Sequence, residues 1–317
     1  MDVLRLTLRQ LQIFVAVART GSTTAASAQI ALSQSATSSA VNELERVLSL
    51  RLFDRAGKRL LLNDNGRALL PRALALLDGA GGVEQMARDG SAQAQSLRIG
   101  ASTTIGNYVL PTLLGRFFAQ QHRTPGAAWQ SKVAIGNTAA IAAAVAAFEL
   151  DIGLIEGPCH EATLEVTPWL QDELVIVASP THPLVQPLQG LGAAVRVPVK
   201  ALREALWLLR EPGSGTRETT DQLMLGLLRS YQRSIELGSS EAISRAAAQG
   251  LGLACLSHWA VDDLIAAGRL CRLPTTLPKM LRQCYLVVHR SKQVTPALSR
   301  FIECVSARSQ PGTSPRQ

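Results

Sequence analysis

Residues 22–45 read STTAASAQIALSQSATSSAVNELE, and this stretch decides how the N-terminal part of the chain folds. Residues 30–32 separate two segments that are rich in alanine and in small hydroxyl side chains. Small residues let two helices cross closely, and the second segment opens on hydroxyl and amide groups short enough to enter a DNA groove. The stretch therefore predicts two short helices joined by a tight turn, a helix-turn-helix.

The flanking sequence extends this motif on both sides. Apolar residues recur every three or four positions over residues 8–19, which predicts an amphipathic helix that ends at Gly21. The second helix is expected over residues 24–29, and the third runs from a cap at Ser33 to about residue 48. Residues 50–62 then predict a two-stranded wing.

The wing is strongly basic. Residues 51–59 contain Arg51, Arg55, Lys58 and Arg59 against the single acid Asp54. A solvated basic turn is the ordinary interpretation of such a run. Beside a helix-turn-helix, however, it lies where phosphate contacts are needed for DNA affinity.

A long amphipathic helix is predicted over residues 66–87, followed by a polar linker at residues 90–95. Its apolar stripe has no partner element within this part of the sequence. Pairing with a second copy of the chain would bury that stripe, so the sequence favours a dimer.

Strands and helices alternate from residue 97 to residue 307, with helices expected over residues 106–121, 138–148 and 241–249 and a strand over residues 174–178. This alternation predicts βαβ units, a mostly parallel sheet and two α/β lobes. Ligands of such folds lie at the carboxyl ends of the strands, in the cleft between the lobes. Residues 309–317 are rich in Ser, Pro, Gly and Arg and predict a disordered tail.

Three loops at predicted strand–helix junctions could bind an anion in that cleft. They are residues 101–106 with Ser102, Thr103 and Thr104, residues 136–138 with Gly136, Asn137 and Thr138, and residues 210–217 with Ser214, Thr216 and Arg217. Backbone N–H groups and hydroxyls at a helix start suit an oxyanion or a small carboxylate. Ordinary helix capping, with Arg217 paired to Glu211 or Glu218, is the alternative.

Composition bounds the remaining possibilities. The 317 residues carry a formal charge of +8, which favours a polyanionic partner, and five scattered cysteines, which fit reduced thiols. The N-terminus has no secretory apolar run, and the longest apolar segment, residues 139–148, is too short to cross a membrane. The sequence predicts a cytoplasmic protein.

Catalytic patterns are missing from the sequence. It contains no HExxH, GxSxG or GxGxxG motif and no metal-spaced Cys/His set, and Cys159-His160 reads as an incidental pair. We therefore expect no enzyme activity, no cofactor and no metal. A solute-binding or catalytic α/β protein with an accessory helix-turn-helix is the rival interpretation, and a structural DNA binder of the nucleoid type is a third.

The chain resembles LysR-type transcriptional regulators over nearly its whole length. The pattern is carried by Leu11-x-x-Phe14, Gly21-Ser22, Ala25-Ala26, residues 32–36 (LSQSA), Leu44-Glu45, residues 52–55 (LFDR), Asn63-x-x-Gly66, residues 98–102 (RIGAS) and residues 250–252 (GLG). The resemblance implies an α/β fold. A winged helix-turn-helix over residues 1–63 and a linker helix over 64–90 precede a two-lobed, periplasmic-binding-protein-like effector domain over 91–308. Lobe I would take residues 96–165 and 270–308, and lobe II residues 166–269.

The resemblance also implies partners. It predicts a regulator that binds double-stranded promoter DNA as a homodimer or a homotetramer and responds to a small effector. RNA polymerase is a further candidate partner. On that basis the DNA-binding residues are Ser33, Gln34, Ser35, Thr37, Ser38, Ser39, Asn42, Arg55, Lys58 and Arg59. Many family members have arginine or glutamine at the position of Ser39, so specificity here shifts toward Gln34, Asn42 and DNA shape.

The three anion-binding loops look most like the branch that regulates sulfur metabolism and carbon fixation. That resemblance implies a small anionic effector in the cleft, with sulfite or sulfate favoured. The branch that senses peroxide with paired cysteines fits poorly, because no two cysteines lie at a short CxxxxxxxxC spacing. Cys255, Cys271 and Cys284 could still meet in space.

Overall fold

The computed structural model describes residues 5–57, 59–88, 95–121, 129–188 and 195–307. The chain divides into two compact units, Met1–Gln93 with Ser291–Gln293 and Ala94–Arg290 with Val294–Gln317. The predictions for Lys58, for most of the polar linker and for the C-terminal tail lie outside the described residues.

The first unit contains four helices and a two-stranded wing among its described residues. In chain order they are α1 (Leu8–Thr20), α2 (Thr23–Gln29), α3 (Gln34–Leu48), β1 (Phe53–Ala56), β2 (Arg59–Leu62) and α4 (Asp64–Arg88). Side-chain oxygens cap the first three helices, from Thr7, Ser22 and Ser33 respectively. Leu11, Phe14 and Leu44 are fully buried in the core that these helices enclose.

One buried carboxylate fixes the wing to α3. Glu45 is 8% exposed, and its Oε1 accepts the backbone N–H groups of Leu52 at 2.8 Å and Phe53 at 3.4 Å. Its Oε2 pairs with Arg51 at 3.0 Å. Each oxygen therefore has a partner, which a buried charge requires.

The second unit alternates strands and helices as the sequence predicts. The strands are β3 (Gln95–Ser102), β4 (Trp129–Gly136), β5 (Ile152–Glu156), β6 (Leu164–Ala178), β7 (Leu206–Leu209), β8 (Arg233–Glu236), β9 (Leu253–Ser257), β10 (Cys271–Arg272) and β11 (Met280–His289). The helices are α5 (Thr103–Tyr108), α6 (Leu110–Gln121), α7 (Thr138–Ala146), α8 (Val199–Glu204), α9 (Gly215–Leu228), α10 (Ser240–Ala248), α11 (His258–Ala266) and α12 (Pro296–Ser306).

The sheet is mixed, so the expectation of a mostly parallel sheet was wrong. Its order is β4-β3-β5-β11-β6-β9-β7-β8, with β10 pairing with β6. The pairs of β3 with β4 and β5, and of β7 with β8 and β9, are parallel. The pairs that involve β6 or β11 are antiparallel. Parallel pairing needs a helical crossover, whereas β6 and β11 are the strands that connect one group of βαβ units to the other.

Two groups of elements, called here the first and second lobes, lie on either side of β6 and β11. In the first lobe, β3, β5 and α6 bury Ile99, Phe117 and Leu154. In the second lobe, β7, β9 and α9 enclose Trp207 and Met224. The carboxyl ends of the parallel strands of both lobes point toward the loops that the sequence selected as anion-binding candidates.

We predict that Glu45→Ala selectively destabilises the first unit, by about 2–4 kcal/mol, because two buried N–H groups lose their acceptor. All four tryptophans, at positions 129, 169, 207 and 259, lie in the second unit. Urea unfolding followed by far-UV circular dichroism should therefore show a separate early transition that tryptophan fluorescence does not report.

Glu43→Ala is the matched control, since Glu43 lies nearby on α3 and forms an exposed ion pair with Arg46. Exposed pairs contribute little to stability, so this variant should unfold like the parent protein. Equal effects of the two substitutions would contradict the structural role assigned to Glu45.

Candidate functional site

A groove of about 410 Å³ lies between α3 and the wing in the first unit. Hydroxyl and amide groups from α2 and α3 line one side, and arginines line the other. Its polar residues include Ser22, Thr23, Thr24, Gln34, Ser38, Asn42, Arg51, Arg55 and Arg59. With three arginines against the carboxylate of Glu45, the groove carries a net positive charge.

Most of the predicted DNA-binding residues are accessible on this face. Ser38 is half-buried. Seven others are exposed: Ser33, Gln34, Ser35, Ser39, Asn42, Arg55 and Arg59. The Gln34 Nε2 donates a hydrogen bond to the Thr23 hydroxyl at 3.0 Å, which leaves its carbonyl oxygen available. The Ser33 hydroxyl accepts the N–H of Ala36 at 3.1 Å and is therefore committed to capping α3.

The prediction for Thr37 was wrong. This side chain is fully buried, and its hydroxyl donates to the carbonyl oxygen of Ser33 at 3.0 Å. Thr37 lies four residues before Val41 and seven before Leu44, so it shares their inward helix face. The sequence suggested a hydroxyl-rich first turn but did not separate the hydroxyls that face the core.

Sequence reasoning also omitted several residues that line the groove. Thr23 and Thr24 come from the start of α2, and Arg51 comes from the turn after α3. The hydroxyl cluster at residues 22–24 was the available signal, but it was interpreted only as a helix cap. Arg51 belonged to the basic run and was not selected as a site residue.

The three loops that the sequence selected as anion-binding candidates meet one another in the second unit. The Ala139 N–H donates to the Gly213 carbonyl at 3.0 Å, and the Gly215 N–H donates to the Thr138 hydroxyl at 3.2 Å. At Gly215 an added Cβ would lie 1.8 Å from the carbonyl oxygen of Glu156, so only glycine permits this approach. We call this contact region the lobe interface.

Several predicted effector residues form the lobe interface through their own hydrogen bonds. The Thr138 hydroxyl donates to the Glu156 carbonyl at 2.9 Å, and the Thr216 hydroxyl accepts from Arg282 Nη1 at 2.8 Å. Ser214 caps α9. All three are buried and bond to the protein in this structure, and for them a contact with the effector stays a prediction.

Gly136 and Asn137 have protein partners as well. The Gly136 carbonyl accepts the Thr103 hydroxyl at 3.0 Å. The Asn137 side chain caps α7 and its amide nitrogen lies 3.3 Å from Glu211 Oε1. These two residues shape the lobe interface from the side of the first lobe.

Arg217 is also committed to the protein. Its Nε donates to Asp221 at 2.7 Å, its Nη1 donates to the Arg210 carbonyl at 2.8 Å, and Nη1 lies 3.5 Å from Glu236. The alternative pairing with Glu211 or Glu218 does not form, and the guanidinium bonds to these other groups instead. A role for Arg217 in effector binding stays a prediction.

Arg210 is the cation that reaches across the lobe interface, and sequence reasoning missed it. It is 3% exposed, follows β7 directly, and donates from Nη1 to Ser240 at 2.9 Å and from Nη2 to Thr103 at 3.4 Å. Arg210 also donates from Nε and Nη2 to the carboxylate of Glu211. Burial raises the pKa of Glu211, but these hydrogen bonds outweigh that effect and hold the pKa below its usual value. Arg210 thus links the second lobe to the loop that follows β3.

Two hydroxyls beside this arginine have no hydrogen-bond partner among the described residues. Ser102 Oγ and Thr104 Oγ1 are buried, and Ser102 precedes α5 without capping it. Buried polar groups are normally satisfied, so unpartnered ones indicate a place where a ligand or water completes the bonding. Of the nine predicted effector residues, Ser102 and Thr104 retain free hydroxyls, and Thr103 contacts Arg210.

A buried charged cluster lies next to these hydroxyls. Arg282 Nε donates to Asp172 at 2.7 Å, its Nη2 lies 2.6 Å from the same carboxylate, and Asp172 also accepts the Ser257 hydroxyl at 2.9 Å. Glu156 Oε1 is 3.8 Å from Arg282 Nη1. Burial raises the pKa of Glu156 above its usual value, despite the opposing charge of Arg282.

The cysteines and histidines form no comparable site. All five cysteines are free, and burial raises the pKa of the Cys255 thiol to about 12. His160 Nε2 lies 2.8 Å from Glu218. No metal-ligating cluster occurs within the described residues, and no helix in that part of the chain has the length and apolarity to span a membrane.

Comparisons with known proteins identify the family of both parts of the chain. Residues 8–67 match the family "Bacterial regulatory helix-turn-helix protein, lysR family", and residues 90–310 match the "LysR substrate binding domain". The chain is 44% identical over 300 residues to the uncharacterized HTH-type transcriptional regulator YeiE of Escherichia coli strain K12, covering 95% of this chain and 97% of that protein.

Two further relatives extend the comparison. A RuBisCO operon transcriptional regulator of Allochromatium vinosum is 30% identical over 303 residues, covering 95% of this chain and 96% of that protein. The Synechocystis CcmR regulatory domain, solved in complex with 2-PG, superposes with a TM-score of 0.59 at 28% identity, covering 68% of this chain and 98% of that domain. Their names are those of transcriptional regulators and not of enzymes, and the chain belongs to the LysR family of transcriptional regulators.

Proposed function

We propose that this regulator binds promoter DNA through the groove beside α3 and responds to a small oxyanion, of the sulfite or sulfate class, held at the lobe interface. The observation that carries the effector half of the proposal is the pair of unpartnered buried hydroxyls of Ser102 and Thr104, which flank Thr103, whose hydroxyl accepts a hydrogen bond from Arg210 Nη2 at 3.4 Å. In its assembled form we expect a homodimer that pairs into a tetramer.

The DNA half rests on the groove's chemistry. Exposed Gln34, Ser35 and Asn42 offer hydrogen-bonding groups to base edges, while Arg55 and Arg59 stand on the wing, where phosphates would lie. Serines dominate the first turn of α3, so few side chains there reach far. Gln34 is the longest of them and is our candidate for direct base recognition.

The effector half rests on charge and size. A guanidinium bonded to Thr103, together with the unpartnered hydroxyls of the same loop, favours an anion with several acceptor oxygens. The lobes approach closely at Gly215, which favours an oxyanion of a few atoms over a larger metabolite.

Substitutions in the groove should separate phosphate contacts from base contacts. Arg55→Ala should weaken binding to every duplex and reduce the slope of log affinity against log salt by about 1. Gln34→Ala should instead reduce discrimination between a selected genomic fragment and its scrambled copy by about 1–3 kcal/mol. Fluorescence anisotropy titrations at several salt concentrations measure both effects.

Arg46→Ala is the control for loss of charge, because Arg46 lies on α3, pairs with Glu43 and does not line the groove. It should leave the salt dependence as in the parent. A Gln34→Ala variant that still prefers the selected fragment as strongly as the parent does would overturn the base-contact assignment.

The oxyanion response should depend on Ser102. We predict that Ser102→Ala lowers the affinity for sulfite or sulfate about tenfold, because a hydrogen bond to a charged ligand contributes roughly 1.5–3 kcal/mol. The unfolding temperature without ligand should not fall, since the removed hydroxyl has no partner. Isothermal titration calorimetry and thermal unfolding of the full chain test both statements.

Ser131→Ala is the matched control. Ser131 Oγ is also buried and unpartnered, but it lies near the start of β4, at the opposite end of the neighbouring strand. This variant should bind the anion like the parent. If neither sulfite nor sulfate binds the parent protein, the proposed effector class is wrong.

A further inference from the structure

Glu156 is a buried acid whose second oxygen has no partner. It is 1% exposed at the end of β5, and Oε2 makes no hydrogen bond to any described residue. An ionised carboxylate can only accept hydrogen bonds. An ionised Glu156 can therefore accept a further donor at Oε2, beyond the Thr104 hydroxyl that lies near this carboxyl.

The surroundings of Glu156 join it to the proposed effector site. Burial raises the pKa of Glu156, and two neighbours lower it. One is the hydroxyl of Thr104, although this hydroxyl makes no hydrogen bond of normal geometry. The other is the positive charge of Arg210. Ser102 ends β3, which runs parallel to β5 and next to it. The unpartnered atoms of Ser102, Thr104 and Glu156 thus share the carboxyl edge of two adjacent strands.

The neighbouring charges do not neutralise Glu156. Arg282 is 3.8 Å away but directs its Nε and Nη2 to Asp172, whose negative charge adds to that of Glu156. Arg210 is shared with Glu211, and the Cys284 thiol is uncharged because burial raises its pKa. A fully ionised anion placed here would face an uncompensated carboxylate.

We infer that Glu156 determines the specificity of the effector site by accepting a hydrogen bond from a hydroxyl group of the bound oxyanion. The site then takes an anion that carries its own proton, such as hydrogen sulfite, and rejects fully ionised sulfate. This inference rests on the proposed function and narrows its effector class. In the alternative arrangement Glu156 itself is protonated. It would then donate a hydrogen bond to sulfate, and the site would no longer prefer a protonated oxyanion over sulfate.

Phosphate and sulfate provide the sharpest comparison, because both are tetrahedral, have nearly the same size, and differ at neutral pH in that phosphate retains a hydroxyl. Calorimetric titration of the full chain should give at least tenfold higher affinity for phosphate than for sulfate. Sulfite affinity should fall as the pH rises through the range in which hydrogen sulfite loses its proton. Sulfate affinity of the parent should stay low throughout.

Glu156→Gln replaces one acceptor oxygen by an N–H donor of nearly the same size. It should bring sulfate affinity to at least that of phosphate and remove the decline of sulfite affinity with rising pH. Thr220→Val, which alters another buried unpartnered hydroxyl, is the control and should keep the selectivity of the parent. Circular dichroism establishes that each variant is folded.

The outcomes separate this inference from the proposed function. If the parent binds sulfate as tightly as phosphate, or if Glu156→Gln keeps the parental preference, the inference is overturned while the oxyanion site stands. The pH dependence of sulfite binding by the parent decides the matter without any variant, because an affinity that does not fall as pH rises also overturns it. If no oxyanion binds, both proposals fail.

Discussion

The guanidinium of Arg282 joins the two lobes at the point where their connecting strands run side by side. Arg282 lies on β11 and donates to Asp172 on β6, to the Thr216 hydroxyl at the start of α9, and faces Glu156 at the end of β5. It is 3% exposed. Removing one partner of such a buried network leaves an uncompensated charge, which costs several kcal/mol. The position of the lobe interface therefore depends on this residue.

Two buried glutamates differ in how far the protein satisfies their carboxylate oxygens. Glu45 has partners on both oxygens, all from the first unit, and fixes the wing beside α3. Glu156 has a distant arginine on one oxygen and nothing described on the other. A satisfied buried carboxylate adds to the specificity of the fold, whereas an unsatisfied one reduces stability until a ligand completes it.

The sequence predicted the elements far better than the contacts of individual side chains. Periodicity and capping residues placed α1, α3, α7 and α10 within a residue or two, because these features are local. The long strand β6 was predicted only from residue 174, since its first half alternates polar residues and includes Pro168. Residues 106–121 were predicted as one helix, but α5 and α6 are separate, with a break at Val109.

The sequence could not distinguish side chains that bond within the protein from those that remain available to a ligand. In the loop 210–217, Arg217 bonds to Asp221 while Arg210 reaches the lobe interface. Both arginines flank the same glycines, and the sequence carries no local signal that distinguishes them. Glu156 ends an apolar strand, and no feature of the sequence distinguished it from an ordinary residue at the end of a strand. Its importance follows from tertiary neighbours that lie far away in the sequence.

The close approach of the lobes makes the unpartnered atoms of Ser102, Thr104 and Glu156 energetically important. Gly215 lies against the carbonyl of Glu156, so the lobes are in close contact there, and each buried polar atom left unpartnered costs about 1–3 kcal/mol. Ser102, Thr104 and Glu156 contribute three such atoms. A ligand can shift an equilibrium only through its different affinity for the two states. The oxyanion that we propose would stabilise the joined lobes by bonding to these atoms, because separated lobes would offer it water on one side instead of Arg210.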